Sequence, residues 1–195
     1  MIELMEEGKK VIFLYSGEGT HSPESSLGLL KASDSYQEIK DIISLKLALN
    51  LDQIWENGLN DHSGPISPLL TVITEICLAD YWYGWGYEPD VVIGHSTGEL
   101  AAAYQAGFYT LEETLQLAYN IGKAASEIEG DMYHGYLSES ELINLSVPLG
   151  SINFKDDLGT HVTICGVKDE LNSFLQEKSE FIKMKVSHPW HHPNY

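Results

Sequence analysis

The pentapeptide GHSTG at residues 94–98 constrains the fold of this chain more than any other segment. It follows the apolar run VVIG at residues 91–94 and precedes an alanine-rich stretch that closes at Gly107. A G-x-S-x-G sequence between a strand and a helix predicts a nucleophile elbow, a sharp turn that presents the serine at the start of the helix. Free N–H groups and the helix dipole favour negative charge at that position. We therefore predict Ser96 as a nucleophile, with an ordinary serine-bearing turn as the alternative.

The rest of the first two-thirds of the chain alternates between apolar strands and helices. VIFLYSG at residues 11–17 is a continuous apolar run, typical of a buried strand. Ser67 and Pro68 predict an N-cap followed by proline at the first position of a long core helix. Thr110 with Glu113 has the spacing of a capping box. This alternation predicts an α/β class, with an α/β-hydrolase-like core around a parallel sheet.

The order of the elements changes after Asp131. Residues 132–187 read as strand, helix, strand, strand, helix, strand, which is the βαββαβ order of a ferredoxin-like subdomain. We therefore expect an α/β core of residues 1–131 and 188–195 that carries the elbow, and a smaller ferredoxin-like subdomain of residues 132–187. A ligand cleft is expected between them, because binding sites often form where two such layers meet.

Composition narrows the classes of partner and the compartment. The 195 residues include 29 acidic and 11 basic side chains, for a net charge of −18, which repels nucleic acid and anionic membranes. Cys77 and Cys165 lie in apolar runs and are expected to be buried thiols of a reducing compartment. The N-terminus does not resemble a signal peptide, and no stretch reaches the ~18 apolar residues of a membrane span. The expected location is the cytoplasm, without nucleic-acid or membrane partners.

Three blocks of the sequence resemble a known family. GHSTGELAAAYQAG at residues 94–107 is similar to the GHSxGE block of malonyl-CoA:acyl-carrier-protein transacylases and of polyketide synthase acyltransferase domains. VIFLYSGEGT at residues 11–20 resembles the opening strand and loop of that family, and VSHPWHHP at residues 186–193 resembles its histidine block. The resemblance spans nearly the whole chain. It implies that Ser96 is the nucleophile and that His191 is the base that takes its proton.

The resemblance also implies a reaction and its partners. Ser96 would take an acyl group from a thioester, acyl-CoA or an acyl-carrier protein, and pass it to a phosphopantetheine thiol in polyketide or fatty-acid biosynthesis. The backbone N–H groups of Thr97 and Glu18 would form the oxyanion hole, with Glu18 standing where the family usually has glutamine. The implied partners are acyl-carrier protein, acyl-CoA and neighbouring synthase domains. No permanently bound cofactor is expected.

Several positions depart from the malonyl-specific pattern. The implied substrate-binding residues are His95, Ser67, Ile121, His188 and Trp190. Ile121 stands where the family places the arginine that pairs with the malonyl carboxylate, and Ser67 stands in place of the usual glutamine. Leaving a buried carboxylate without its partner costs about 3–5 kcal/mol. These departures, with Pro189 and Trp190 in the pocket-shaping block, predict a non-malonyl acyl group.

Other catalytic functions and a non-catalytic one stay open at this point. An acyl-carrier-protein acyl hydrolase would use the same serine and release the acyl group to water. An ordinary α/β-hydrolase esterase could complete a triad with Asp156, Asp157 or Asp169. The third alternative is an inactive docking or structural remnant that keeps the fold.

The C-terminal histidines allow a further alternative. His188, His191 and His192 could contribute to a zinc site, but neither cysteine lies near them in sequence. The resemblance also implies that family members continue well past the position of Tyr195. The sequence therefore leaves open a piece of a longer domain or half of a split enzyme.

Overall fold

The computed structural model describes residues 10–20, 28, 30–56, 64, 66–186 and 188–194, and the structural statements below concern these residues. They form a mixed α/β fold with one parallel and one antiparallel sheet. The contacts divide the chain into two compact units. The first comprises Met1–Asp61 and Pro65–Gly122, and the second comprises His62–Gly64 and Lys123–Tyr195. None of the helices in the described part of the chain is long and apolar enough to cross a membrane.

The elements of each unit follow in chain order. The first unit contains β1 (Ile12–Tyr15), α1 (Tyr36–Ile42) continued by a π-helical turn (Ile43–Leu47), α2 (Leu51–Glu56), α3 (Ile66–Gly84), β2 (Val91–Gly94), α4 (Gly98–Gln105) and α5 (Leu111–Ala125), the last of which runs past Gly122. The second contains β3 (Asp131–Leu137), α6 (Glu139–Ile143), β4 (Leu149–Asp156), β5 (Gly159–Gly166), α7 (Lys168–Glu177) and β6 (Ile182–Lys183).

The core of the first unit is built around α3, which is buried over most of its length. Leu69, Leu70, Val72 and Ile73 are fully excluded from solvent. The helix begins at Ile66, so the prediction that Ser67 is its N-cap is wrong. Proline is still tolerated at position 68, because first-turn N–H groups have no intrahelical acceptor.

The two strands of the first unit run parallel, with Ile12 paired to Val91 and Tyr15 paired to Gly94. On one face of this sheet Phe13 and Tyr15 pack against the helical core. On the other face Ile12 is 55% exposed and Leu14 is 72% exposed, and Val91 and Ile93 are exposed as well. The prediction that β1 and β2 are buried strands is therefore wrong for one face. Side chains alternate between the faces of a strand, and the helical core covers only one of them.

The second unit is an antiparallel sheet in the order β4-β5-β3-β6, with its elements in the sequence β3-α6-β4-β5-α7-β6. Leu137, Val162 and Ile164 form part of its core with residues of the flanking helices. The assignment of this unit to the ferredoxin-like fold stays a prediction.

The boundary between the units differs from the predicted division. It lies after Gly122, and residues 188–194 belong to the second unit rather than with the elbow-bearing core. The packing of the histidine segment explains the difference. A Cβ on Gly130 would lie 2.8 Å from Cγ of Pro189, and Trp190 packs against a cluster that includes Cys165.

The predicted capping box of Thr110 and Glu113 and the predicted burial of the two cysteines are confirmed. Thr110 Oγ1 accepts from the Glu113 N–H at 3.2 Å, and a Glu113 carboxylate oxygen accepts from the Thr110 N–H at 2.8 Å, which makes a reciprocal capping box. Ser138 caps α6 in the same way. Cys77 and Cys165 are both buried free thiols.

Candidate active site

Ser96 occupies a strained turn between β2 and α4. Its φ is 54°, in the left-handed region, where a side chain costs about 1–2 kcal/mol. The turn is closed by the Gly98 N–H, which donates to the His95 carbonyl at 3.0 Å, and by the Glu99 N–H, which donates to the Ser96 carbonyl at 3.0 Å. This strand-to-helix conformation is the one that gives a nucleophile elbow its exposed serine.

Close packing explains both glycines of the motif. A Cβ on Gly94 would lie 2.4 Å from Cα of Glu99, and a Cβ on Gly98 would lie 2.4 Å from the carbonyl oxygen of Ser16. Both distances are far below van der Waals contact, and in both cases the opposing atom belongs to the backbone. The turn can therefore be this tight only with glycine at both positions.

This packing predicts a measurable cost for Gly98→Ala. The added methyl group meets a backbone oxygen that cannot rotate away, so we expect the free energy of unfolding to fall by about 1–3 kcal/mol, the usual cost of overpacking. Urea unfolding measures the change. Gly84→Ala is the matched control, because a Cβ there has no neighbour within 4 Å. Equal stability of the two variants would contradict the packing argument.

The loop that follows β1 lies directly against the elbow. The carboxyl ends of adjacent parallel strands meet at one edge of a sheet, so the segments that follow β1 and β2 emerge together. A Cβ on Gly17 would lie 3.0 Å from Nδ1 of His95 and 3.4 Å from Cβ of Ser96. The Thr20 hydroxyl donates to the Gly17 carbonyl at 2.9 Å and holds the loop in place. Three positions selected from the sequence (Glu18, His95 and Ser96) are thus grouped in one unit.

Glu18 places a carboxyl group inside the protein at this loop. Both of its oxygens are fully buried, and neither makes a well-formed hydrogen bond with any described residue. Burial raises the pKa of Glu18 to about 7, and the nearby Ser67 hydroxyl only partly opposes this rise. The structure therefore brings together Glu18 and Ser67, two positions where the sequence departs from the family pattern.

Glu75 is a second buried acid, and the sequence analysis missed it. It lies on α3, accepts a hydrogen bond from the Ser16 hydroxyl at 3.1 Å, and lines a cavity of about 280 Å³ beside β1. Burial raises its pKa to about 7, although the bond from Ser16 opposes the rise. The available signal was a lone acidic residue in the apolar run LLTVITEICLA.

The remaining predicted residues of the first unit flank the elbow in sequence or lie on α5. Thr97 directly precedes α4 with a helical φ of −55°. Ile121 lies on α5 and is 40% exposed, whereas its neighbour Gly122 is buried. An apolar side chain with this exposure can contact an acyl chain but offers a carboxylate no partner.

In the second unit, the side chain of His188 is buried and hydrogen-bonded to backbone groups. Its Nε2 accepts from the Gly64 N–H at 3.1 Å, so its Nδ1 carries the proton and donates to the Ile128 carbonyl at 3.2 Å. The ring is buried and lies edge-on to Trp190, with 6.0 Å between centroids. Both ring nitrogens thus contact backbone groups, and this arrangement ties the histidine segment to two other parts of its unit.

His191 and His192 differ in exposure and in contacts. His192 is buried, and its Nε2 lies 3.6 Å from a carboxylate oxygen of Glu170. His191 is exposed and has a φ of 61°. Among the described residues, the non-glycine positions with positive φ are Ala48, Ser96 and His191. Two of these three are the predicted nucleophile and its predicted base, and strained backbone conformations concentrate at functional sites.

Asp156, one of the acids that could complete an esterase triad, lies where β4 ends. Asp156 accepts hydrogen bonds from the Tyr136 hydroxyl at 3.0 Å and from the Leu158 N–H at 2.8 Å, so it stabilises the β4–β5 turn. Within the described ranges, no group of three or more histidine, cysteine, aspartate or glutamate side chains is arranged to hold a metal ion.

A family comparison agrees with the elbow and the fold around it. Residues 12–180 match the model of the acyl transferase domain, and the chain belongs to this family. A non-reducing polyketide synthase of Nectria sp. is 31% identical over 140 residues, which cover 67% of this chain and 7% of that protein.

Solved structures show the same fold. The acyl transferase domain of ZmaA is 24% identical with a TM-score of 0.76, and the match covers 94% of this chain and 47% of that one. FabD from Acinetobacter baumannii is 21% identical with a TM-score of 0.76, and the match covers 92% of this chain and 62% of that one. This chain therefore spans about half to three-fifths of these solved chains and a small part of the synthase.

Proposed function

We propose that this chain transfers acyl groups through an ester on Ser96. The Ser96 hydroxyl attacks the carbonyl of an acyl thioester, from acyl-CoA or an acyl-carrier protein, and the thiol leaves with the proton. The phosphopantetheine thiol of an acyl-carrier protein then attacks the ester, and Ser96 recovers its proton. The chemistry uses no permanently bound cofactor, and it serves polyketide or fatty-acid synthesis beside neighbouring synthase domains in the cytoplasm.

The observation that supports this proposal most strongly is the conformation of Ser96. A serine at a φ of 54°, between a strand and a helix and packed by two glycines, presents its hydroxyl for attack. The proposed base is His191, which belongs to the second unit. The proposed oxyanion donors are the backbone N–H groups of Thr97 and Glu18, which would stabilise the charge on the tetrahedral intermediate.

The proposed substrate is an acyl group without a carboxylate. Ile121 supports this choice, because it provides apolar contact and no counter-charge, and a carboxylate moved from water to such a site loses its hydration without gaining a partner. Ser67, His95 and Trp190 are proposed to complete the pocket.

An acyl hydrolase is the second candidate, because the acyl-enzyme is the same and only the acceptor differs. Either water or a thiol can attack the ester on Ser96, and either acceptor completes the cycle. A structural remnant without activity is the third candidate, and the strained Ser96 counts against it.

The test measures the loading of the acyl group onto the protein and its subsequent release. We expect incubation with acetyl-CoA to add one acetyl mass to the intact chain, faster than malonyl-CoA adds a malonyl mass. A phosphopantetheinylated carrier protein should then collect the acetyl group. Release to water at the same rate with and without carrier protein would identify the hydrolase, and no added mass from any thioester would contradict both enzymes.

A further inference from the structure

A side-chain hydrogen bond joins two histidines on one face of the antiparallel sheet. Side chains alternate between the faces of a strand, so His134 on β3 and His161 on β5 lie opposite the buried Leu137 and Val162. Nδ1 of His134 and Nε2 of His161 are 3.2 Å apart, and both rings are partly buried. The pair therefore adds a side-chain link to the backbone pairing of β3 and β5.

Asn153 extends this network to β4, which has a bulge at this point. Ile152 and Phe154 pair with consecutive residues of β5, so Asn153 is the extra residue between them. Its Nδ2 lies 3.1 Å from Nδ1 of His161 and donates to the Thr163 hydroxyl at 3.0 Å. Side-chain hydrogen bonds therefore hold β4 to β5 where the regular backbone pairing is interrupted.

The direction of each hydrogen bond shows where the protons lie. The Ser151 hydroxyl donates to Oδ1 of Asn153 at 2.8 Å, which leaves the amide nitrogen to face His161. An amide nitrogen only donates, so Nδ1 of His161 accepts and its Nε2 carries the proton that is donated to His134. If His161 gains a proton, its Nδ1 can no longer accept from Asn153. If His134 gains one, His161 can accept from it only by moving its own proton to Nδ1, and the bond from Asn153 is lost again.

The other charged and titratable groups on these strands have partners of their own. On β3 the Tyr136 hydroxyl donates to Asp156 of β4 at 3.0 Å. On β6 the ammonium group of Lys183 lies 2.6 Å from a carboxylate oxygen of Asp131, and β5 contributes the buried thiol of Cys165. Both acids are therefore engaged elsewhere, and a protonated histidine gains no counter-charge from them.

The surroundings of the pair also favour neutral rings. Phe154 stacks on the ring of His161 with 4.7 Å between centroids, and Tyr136 lies edge-on to it at 4.9 Å. Burial lowers the pKa of His134 below its ordinary value of 6.5, and the nearby His161 lowers it further. A folded chain that disfavours the protonated ring loses stability as the pH falls through this lowered pKa, and keeps that stability above 6.5.

We propose that His134, His161 and Asn153 form an acid-sensitive hydrogen-bond network that holds β4 to the sheet while both rings are neutral and loosens β4 at its bulge when either ring is protonated. Hydrogen exchange of the amides of residues 149–156 measures this directly, and protection factors correct for the intrinsic pH dependence of exchange. We expect their protection in the unaltered chain to fall by about fivefold between about pH 7.5 and about pH 5.5, which corresponds to the loss of one hydrogen bond.

His161→Asn should keep its protection at both pH values. The asparagine oxygen lies near the position of Nδ1, accepts from Asn153 and does not titrate. Tyr136→Phe is the matched control, because it keeps the ring beside His161 and both histidines, and it should show the full decline. The same decline in His161→Asn as in the unaltered chain overturns the inference, as does protection in the unaltered chain that does not change with pH.

A second measurement uses the unaltered chain and stands even if His161→Asn fails to fold. The ¹⁵N NMR signals of the two rings, assigned by their loss in His134→Gln and in His161→Asn or His161→Gln, show which nitrogen carries the proton. At neutral pH the proton of His161 should be on Nε2, and His134 should gain its second proton below its ordinary pKa of 6.5. A proton on Nδ1 of His161, or titration of His134 at or above 6.5, overturns the inference.

Discussion

Ser96→Ala should lower the rate of acyl loading by at least about a thousandfold, because no oxygen remains to form the ester. The fold should be unaffected. Alanine has a Cβ like serine, so the cost of a φ of 54° is the same before and after the change. We therefore expect the free energy of unfolding to stay within about 0.5 kcal/mol. Intact-mass spectrometry after incubation with acetyl-CoA measures the loading, and urea unfolding measures the stability.

The matched control for this variant is Ser44→Ala, which removes an exposed serine hydroxyl in the same unit. It should load as fast as the unaltered chain. An acyl mass on Ser96→Ala at the original rate would show that another side chain is acylated, and the proposed mechanism would then be wrong.

Ile121→Arg should shift the preference between substrates by about a hundredfold towards malonyl-CoA over acetyl-CoA. The guanidinium group can form a bidentate pair with a carboxylate, and the unpaired charge costs about 3–5 kcal/mol, where 1.4 kcal/mol corresponds to a factor of ten. Because Ile121 is partly exposed, solvent screening keeps the effect at the low end of this range. Competition between the two thioesters, read as the ratio of added masses, measures the shift.

Ile121→Leu controls for the loss of the isoleucine shape and should keep the original preference. An unchanged ratio in Ile121→Arg would mean that position 121 does not face the acyl group. Preferential malonyl loading by the unaltered chain would mean that another cation, with Lys123 the nearest in sequence, pairs with the carboxylate.

Features set by local chemistry could be predicted from the sequence. The elbow depends on two glycines and a serine at fixed spacing, and the structure has Ser96 in the strained conformation that this spacing predicts. The capping box of Thr110 and Glu113 depends on two side chains three residues apart. Such features form within a few residues, so tertiary packing has little opportunity to override them.

Features set by distant packing could not be predicted. A continuous apolar run reads as a strand covered on both faces, but Leu14 and Ile93 face solvent because the helical core covers only one side. The backbone contacts of His188 join Gly64 and Ile128, which no local pattern connects. Glu75 also needed the structure, because its bond to Ser16 links positions 59 residues apart.

The backbone conformation of Ser96 bears on how selection acts on this chain. Glycine adopts a φ near 54° without steric cost, so folding alone favours glycine at position 96 over serine. A chain under selection only for its fold would gain stability from the substitution of Ser96 by glycine. Stability of the fold alone therefore gives no reason for a serine at position 96, whereas the proposed acyl-enzyme requires its hydroxyl.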